Sequence, residues 1–504
     1  LTRNLSIRWT RRAGWSGPGA LLATRLLVIL LAALLVEALA PAAPARAADG
    51  ALNRAINAQA ARAQRVAPEL GVLVQDLATG ETVYSYRAEV PRIAASNTKL
   101  VTTAAALALL GPSWFFETPF LVRGPVRDGV LDGDLAVVGG GDLTFSGRWT
   151  GDAYGAFYRW ALELAARGVR RVDGDLYLVT GRFEGPEVHP DWPEDQRARW
   201  YEAPVSALTF SDNCVLLAIR PSDRGRPRVD LVPPLDDLLE VDNRTVPSSS
   251  PRRHRVRIVR EGDSPAVEVD GNVYRGAPPV EAWVTVPDPT RYFGAALRDA
   301  LGERGIEVTG RLRPVELLPF GTWERIALYR SDLLSVIEVT NHRSQNLFAE
   351  TILKTLGAET CGEGSWAGGL RAVEGFLERV GIPAGSYSMV DGSGLSRRDR
   401  FTPEQLVRLL RWMADSPWAD EYLGSLPVSG TEDQSLEDRL DRPPYRGNVH
   451  AKTGTLSGVS SLSGFARARS GRTYVFSILA NRTRTAWQAR DAQDAIVRAI
   501  IDNG

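Results

Sequence analysis

The sequence predicts an α+β protein: a five-stranded antiparallel sheet flanked by helices, assembled from both ends of the chain around a strand-rich insertion. Three observations predict it. The front of the chain reads as a helix followed by two strands, and the back as three strands followed by a helix. Between residues 118 and 316 the texture changes to short Val/Leu-rich runs separated by Asp-Gly turns. At 504 residues the chain exceeds one ordinary core, so division into more than one unit is expected.

In chain order, residues 1–47 read as a secretory leader. Arg3, Arg8, Arg11, Arg12 and Arg25 precede an apolar run from Leu26 to Val36, and small residues follow, ending Ala45-Arg46-Ala47. That order of charged, apolar and small segments predicts export and cleavage after Ala47, placing the protein in the periplasm or cell envelope. The apolar run is shorter than the roughly 20 residues that span a bilayer. An uncleaved anchor is the alternative, and peripheral membrane contact stays within the expectation.

Residues 51–67 have helical spacing. Leu70–Leu77 and Thr82–Arg87 read as strands. Ser96 to Leu110 is Ala/Leu/Thr-rich without a breaker and stops at Gly111-Pro112, which predicts a buried helix beginning at a serine. In the insertion, 152–167 and 290–303 read as helices. Leu131-Asp132-Gly133-Asp134-Leu135 is echoed by Val172-Asp173-Gly174-Asp175-Leu176, which turn chemistry suffices to explain. Helical patterns return at 332–342, 344–356, 365–380 and 402–415, the last with Thr402 as N-cap. Strands follow around 450–455, 461–468 and 473–480, and a helix fills 485–502. A discontinuous unit of 48–117 and 317–504 interrupted by 118–316 is the economical division.

Lys+Arg and Asp+Glu both number 60, so no net field draws the chain to nucleic acid. Two cysteines (Cys214, Cys361) and four scattered histidines supply no metal site with recognisable ligand spacing, and no cofactor is expected. Whether the cysteines pair after export is open at this stage. Only three of the 60 basic residues are lysines (Lys99, Lys354 and Lys452), so 57 are arginines. Lysine can lose its proton when buried and arginine cannot, which directs the search for chemistry to these three.

Two of them sit in motifs. Ser96-Asn97-Thr98-Lys99 puts a hydroxyl and an amine one helical turn apart, and a desolvated lysine can take a serine's proton. The alternative is a serine cap beside a solvated lysine. Ser344-Gln345-Asn346 sits between two helices, where a hydroxyl and an amide two residues apart can relay a proton and hold a carbonyl. Lys452-Thr453-Gly454, leading into Thr455, opens a strand: a point charge and a hydroxyl suit a substrate carboxylate, and a glycine admits a close backbone.

In this order S-x-x-K, S-x-N and K-T-G are the signature set of penicillin-binding proteins and serine β-lactamases. The 248 residues from Ser96 to Ser344 exceed the compact β-lactamase layout. The chain resembles the low-molecular-mass class C penicillin-binding proteins, D-alanyl-D-alanine carboxypeptidases/endopeptidases of the penicillin-binding protein 4 type. Further matching stretches are Gly133-Asp134-Leu135 with Gly139-Gly140-Gly141-Asp142, Tyr201–Asn213 (YEAPVSALTFSDN) and Asp391–Arg397 (DGSGLSR). The likeness covers the chain from about residue 50 to its end.

The resemblance implies a penicillin-binding-protein/β-lactamase-like transpeptidase fold with inserted domains. It implies Ser96 as nucleophile, Lys99 as general base, and Ser344 and Asn346 as aids to proton transfer and positioning. Lys452 and Thr453 would hold the terminal carboxylate, and the backbone N–H groups of Ser96 and Thr455 the oxyanion. Arg397 would face the substrate's side-chain carboxylate. Peptidoglycan stem peptides are the implied substrates and β-lactams the implied inhibitors. Two rivals stand: a serine β-lactamase, for which no deacylating carboxylate loop is found, and a non-catalytic wall-binding scaffold keeping the fold.

Overall fold

The computed structural model describes residues 45–233 and 238–504. The leader expected over 1–47 lies outside the described residues but for Ala45–Ala47, where the first helix begins. Among the described residues no helix is long and apolar enough to cross a membrane.

The chain opens with α1 (Ala45–Ala63), β1 (Glu69–Asp76) and β2 (Thr82–Tyr86). A single 3-10 turn, Ala95–Asn97, leads into α2 (Thr98–Leu110). Next come β3 (Phe115–Arg123), β4 (Asp134–Val138), α3 (Gly155–Ala166), β5 (Leu176–Val179), β6 (Cys214–Arg220), β7 (Val280–Thr285), α4 (Pro289–Glu303), β8 (Leu312–Val315) and β9 (Glu324–Asp332). Then come α5 (Leu333–His342), α6 (Asn346–Cys361), α7 (Trp366–Val380) and α8 (Pro403–Ala414). The chain closes with β10 (Val449–Leu456), β11 (Val459–Arg467), β12 (Thr473–Asn481) and α9 (Ala486–Asn503).

Both chain ends share one antiparallel sheet of order β2-β1-β12-β11-β10, with β1 on β12 from Glu69↔Asn481 to Asp76↔Tyr474. Its strands are apolar on both faces because both faces are covered. Val72, Val74, Phe476 and Ile478 pack with Leu52, Ile56, Val497 and Ile500 of α1 and α9. The alternate residues Leu73, Val475, Leu479 and Phe465 pack with Leu100, Ala104 and Leu410 of α2 and α8. Burying each such side chain fully contributes about 1.5–3 kcal/mol. Local signals set the helix ends: Thr402 and Gln405 form a reciprocal capping box with Pro403 at the first position of α8.

The elements from β3 to β9 have their own core. A mixed sheet β8-β5-β4-β3-β9 packs on α3 and α4 through Phe120, Phe145, Phe157, Trp160 and Phe293. The chain enters through β3 and leaves through β9, paired antiparallel from Phe115↔Asp332 to Val122↔Glu324. A β6-centred sheet with β7 and Arg228–Val232, and a four-stranded ladder around Ala266–Tyr274, complete it.

The Asp-Gly echo is structural and has a third member. Leu131↔Val172↔Val308 and Leu135↔Leu176↔Leu312 stack in parallel register, so Val308-Thr309-Gly310-Arg311-Leu312 repeats the pattern. Turn chemistry is not the reason for Gly133, Gly174 and Gly310, none of which has positive φ. A Cβ on Gly174 would lie 2.1 Å from Gly133 O, and one on Gly310 2.1 Å from Gly174 O. Gly174 and Gly310 are required because the preceding copy's backbone lies on each, and Gly133 because the backbone of Arg123 does.

Candidate active site

Ser96 sits in the 3-10 turn before α2, preceded by Ala95 at φ 48°, a left-handed conformation an alanine rarely adopts. It is not the helix cap; no side chain caps this end. Lys99, one turn on, is 0% exposed. Its Nζ lies 3.0 Å from Ser96 Oγ, 2.7 Å from Asn346 Oδ1 and 2.7 Å from Ser393 O. Burial lowers the Lys99 pKa to about 7, against the raising influence of Glu350, Asp391 and Asp399. The amine is therefore partly unprotonated at neutral pH while still held by three oxygens.

Ser344 and Asn346 come from the tight connection between α5 and α6, where Ser344 has φ 57°. Asn346 passes the positioning on: its Nδ2 donates to Tyr201 O at 2.8 Å, tying the lysine to the 3-10 turn Trp200–Glu202. Lys452, also 0% exposed, donates from Nζ to Ser344 Oγ at 2.8 Å. Burial pushes its pKa down, and the Lys99 cation adds to that.

Strand β10 is the sheet edge beside the Ser96 turn. Asn97 Nδ2 donates to Lys452 O at 2.8 Å, and Ser461 Oγ, on the paired strand, donates to Ala94 O at 2.7 Å. A Cβ on Gly454 would stand 2.2 Å from Ser461 Oγ and 2.9 Å from Ser96 N, so only glycine lets the strand lie against the turn. Ala451 N donates outward to Pro427 O at 2.9 Å. By the two-residue alternation of an antiparallel edge, the N–H groups of Thr453 and Thr455 face the same way. Thr453 Oγ1 donates to Ser435 Oγ at 3.0 Å.

The structure thus brings together Ser96, Lys99, Ser344, Asn346, Lys452, Thr453 and Gly454. Thr455 continues the strand, its hydroxyl accepting from Arg490 at 3.3 Å. Arg397 lies exposed beyond the strand's far end, its Nη1 donating to Ser457 O at 3.0 Å. The third lysine has a structural place: Lys354 Nζ lies 4.1 Å above the Trp366 ring and donates to Glu184 O and Pro186 O.

Sequence reasoning missed what holds Lys99 from below. Glu350 accepts from Trp366 Nε1, Gly392 N and Ser393 N at 2.7–2.9 Å. Asp391 accepts from Gly394 N, Ser396 N and Trp192 Nε1 at 2.7–3.0 Å. These bonds shape the turn that presents Ser393 O. Burial raises Glu350 and Asp399, so neither acts as a full counter-charge to the lysine. The Asp391–Arg397 string was visible, but not that its backbone would be the lysine's third partner. Ser435 carried no signal.

Both cysteines are free, Cys214 buried and Cys361 exposed. A cleft of about 680 Å³ opens beside the site, with Gln345 and Ser435 in its wall.

A serine held against a low-pKa lysine, beside a second lysine on an edge strand of an α/β sandwich, defines the class of the penicillin-recognising serine peptidases. The chain belongs to the D-Ala-D-Ala carboxypeptidase 3 (S13) family, which it matches over residues 52–501. It is 36% identical over 427 residues to the D-alanyl-D-alanine carboxypeptidase of Actinomadura sp. (strain R39), covering 82% of this chain and 77% of that one. With D-alanyl-D-alanine carboxypeptidase DacB of Haemophilus influenzae it shares 25% identity over 417 residues, 81% of this chain and 84% of that one. The crystal structure of penicillin binding protein 4 (dacB) from Haemophilus influenzae has the same fold. Its TM-score is 0.75 at 24% identity, over 87% of this chain and 98% of that one.

Proposed function

We propose that the protein is a serine D-Ala-D-Ala carboxypeptidase acting on peptidoglycan stem peptides through an acyl-Ser96 intermediate. The observation that carries this reading is the buried amine of Lys99, 3.0 Å from Ser96 Oγ and lowered to about pKa 7. Neutral Lys99 takes the Ser96 proton as Oγ attacks the penultimate D-Ala carbonyl. The oxyanion is received by the N–H groups of Ser96 and Thr455, and the terminal carboxylate by Lys452 and Thr453. The C–N bond breaks as the amine regains a proton through the Lys99–Ser344–Lys452 side, and D-Ala departs. Water then hydrolyses the ester. A β-lactam opened by Ser96 keeps its leaving group tethered, so it remains on the serine as a covalent inhibitor. Arg397, at the other end of β10, receives the side-chain carboxylate of the stem.

The same reading takes 48–117 and 317–504 as the catalytic unit and 118–316 as inserted. It is supported by the sheet shared between the chain ends and the separate aromatic core. It takes residues 1–47 as an export leader, which suits a wall substrate.

A β-lactamase needs a base to deacylate the penicilloyl ester. The buried carboxyls near Lys99 are occupied by backbone N–H groups, and burial favours the neutral form of Glu350 and Asp399. The test is incubation with a defined stem pentapeptide, reading D-Ala release by mass, and with a chromogenic cephalosporin. One-equivalent labelling and D-Ala release, with both lowered at least about 10³-fold in Ser96→Ala, are expected. Many cephalosporin turnovers per enzyme would establish the β-lactamase. D-Ala release unaffected by Ser96→Ala would remove the serine mechanism.

A further inference from the structure

Beside Lys452 and Thr453 stands a hydroxyl that the reaction above does not use, that of Ser435. The segment 427–436, which carries it, runs along the outer edge of β10. Ala451 N donates to Pro427 O and Ser429 N to Val449 O, and Val428 bridges His450 in antiparallel register. The segment then turns back on itself. Gly430 N donates to Leu436 O at 3.0 Å, and Val428 N to Gln434 Oε1 at 2.6 Å.

Two anchors fix the far end of this turn. Leu436 is 0% exposed, in the same core as Val449, Ala451 and Leu462. Its neighbour Ser435 is half-buried in the cleft wall. Ser435 N donates to His342 O at 2.9 Å, which ties it to the end of α5 that leads into Ser344. A polar side chain held this firmly at the mouth of a site loses little freedom when it meets a ligand.

The hydrogens decide what this position supplies. An ammonium has three N–H groups. Lys452 directs one at Ser344 Oγ (2.8 Å) and one at Thr453 O (3.0 Å), so one remains for a substrate. A threonine hydroxyl has a single hydrogen, and Thr453 gives it to Ser435 Oγ at 3.0 Å. Of the two hydroxyls, Ser435 is therefore the one whose hydrogen has no acceptor among the described residues. Accepting from Thr453 also strengthens it as a donor, because hydrogen bonds in a chain polarise one another. Arg343, close by, is already paired with Asp433 at 3.2 Å. One free N–H of a cation beside one free O–H suits a carboxylate, which only accepts.

We propose that the Ser435 hydroxyl binds the substrate's terminal carboxylate, donating to it beside the ammonium of Lys452, with Thr453 orienting it from behind. The inference rests on the acyl-Ser96 reading and deepens it: preference for a free C-terminus resides in Ser435 as well as in the K-T-G strand. A peptide with a neutral end gains less from the same hydroxyl, since a hydrogen bond to an ionised acceptor is roughly twice as strong as one between neutral groups.

The test compares the full chain with Ser435→Ala, Ser435→Thr, Thr453→Val and the double variant Ser435→Ala/Thr453→Val. Substrates are a stem pentapeptide ending in D-Ala and the same peptide ending in D-alaninamide. Ser435→Ala is expected to lower the acid-to-amide ratio of kcat/KM about tenfold, mainly through KM for the acid. Ser435→Thr, which keeps the hydroxyl, is expected to restore the ratio to within about threefold of the parent. Ser435 retains its own hydrogen when Thr453 is replaced, so adding Ser435→Ala to Thr453→Val is expected to cost about five- to tenfold more on the acid. No loss in Ser435→Ala, or equal losses on acid and amide, would overturn the assignment. Absence of any further loss on the Thr453→Val background would also overturn it, because Ser435 would then act only through Thr453. A parent enzyme that releases D-Ala and takes the cephalosporin label keeps the acyl-Ser96 reading whatever Ser435 does. A parent that does neither sinks that reading, and this one with it.

Discussion

Lys99 and Lys452 are buried side by side in function but held differently, and the difference lies in what surrounds each amine. Lys99 sits above Glu350, Asp391 and Asp399, which favour its charge, yet burial outweighs them and brings it to about 7. Part of the reason is that burial also drives Glu350 and Asp399 toward their neutral forms. Lys452 donates instead to Ser344 and to its own strand, and burial with the Lys99 cation lowers its pKa. With the neutral amine as the base, as proposed, acylation of Ser96 is expected to rise with pH through about 7 and level off above it. Stopped-flow burst rates with a chromogenic cephalosporin check this, and a rate flat from pH 5 to 9 would exclude Lys99 as the titrating base.

At the scale of elements, two backbone approaches require glycine for reasons no turn rule supplies. Gly454 admits β10 to the turn that bears Ser96. The Gly133–Gly174–Gly310 ladder admits three strand pairs to one another. For Gly174→Ala, a Cβ forced to about 2 Å from a carbonyl oxygen must push the stack apart. We expect a loss of about 1–3 kcal/mol, read as a lower urea midpoint, while the burst rate per folded molecule stays close to the parent's. An unchanged midpoint would show that the ladder relaxes freely. The helix reading from Ser96 was nearly right. The difference, a 3-10 turn before Thr98, matters because it sets Ser96 beside the strand rather than on the helix face.

Across the whole molecule, residues 184–212 are wired into the elements around Lys99. Tyr201 O holds Asn346, Asp212 holds Gln345, Trp192 Nε1 donates to Asp391 at 3.0 Å, and Glu184 and Pro186 accept from Lys354. Trp192→Phe leaves a buried carboxylate one donor short. An expected loss of about 1–3 kcal/mol follows, together with a slower cephalosporin burst, because Asp391 shapes the turn whose Ser393 O positions Lys99. Denaturant melts and burst rates on the same preparation separate the two effects. A burst unchanged in the face of lost stability would uncouple the insertion from the lysine.

The sequence alone determined whatever depends on neighbours a few residues apart. The Ser96/Lys99 spacing follows from one turn, the apolar sheet strands from their two-sided burial, and the motif order from the chain itself. Tertiary structure decided the rest. The proton affinity of Lys99 is set by its burial against the pull of Glu350, Asp391 and Asp399, and its amine is held by Asn346, 247 residues away. The third copy of the glycine ladder hid behind Thr309 and Arg311 until its register was seen. The cleft beside the site is bounded by residues as far apart in the chain as Arg148, Gln345 and Ser435. Periodicity is a local property of a string, whereas desolvation and long-range contact belong to everything packed around an atom.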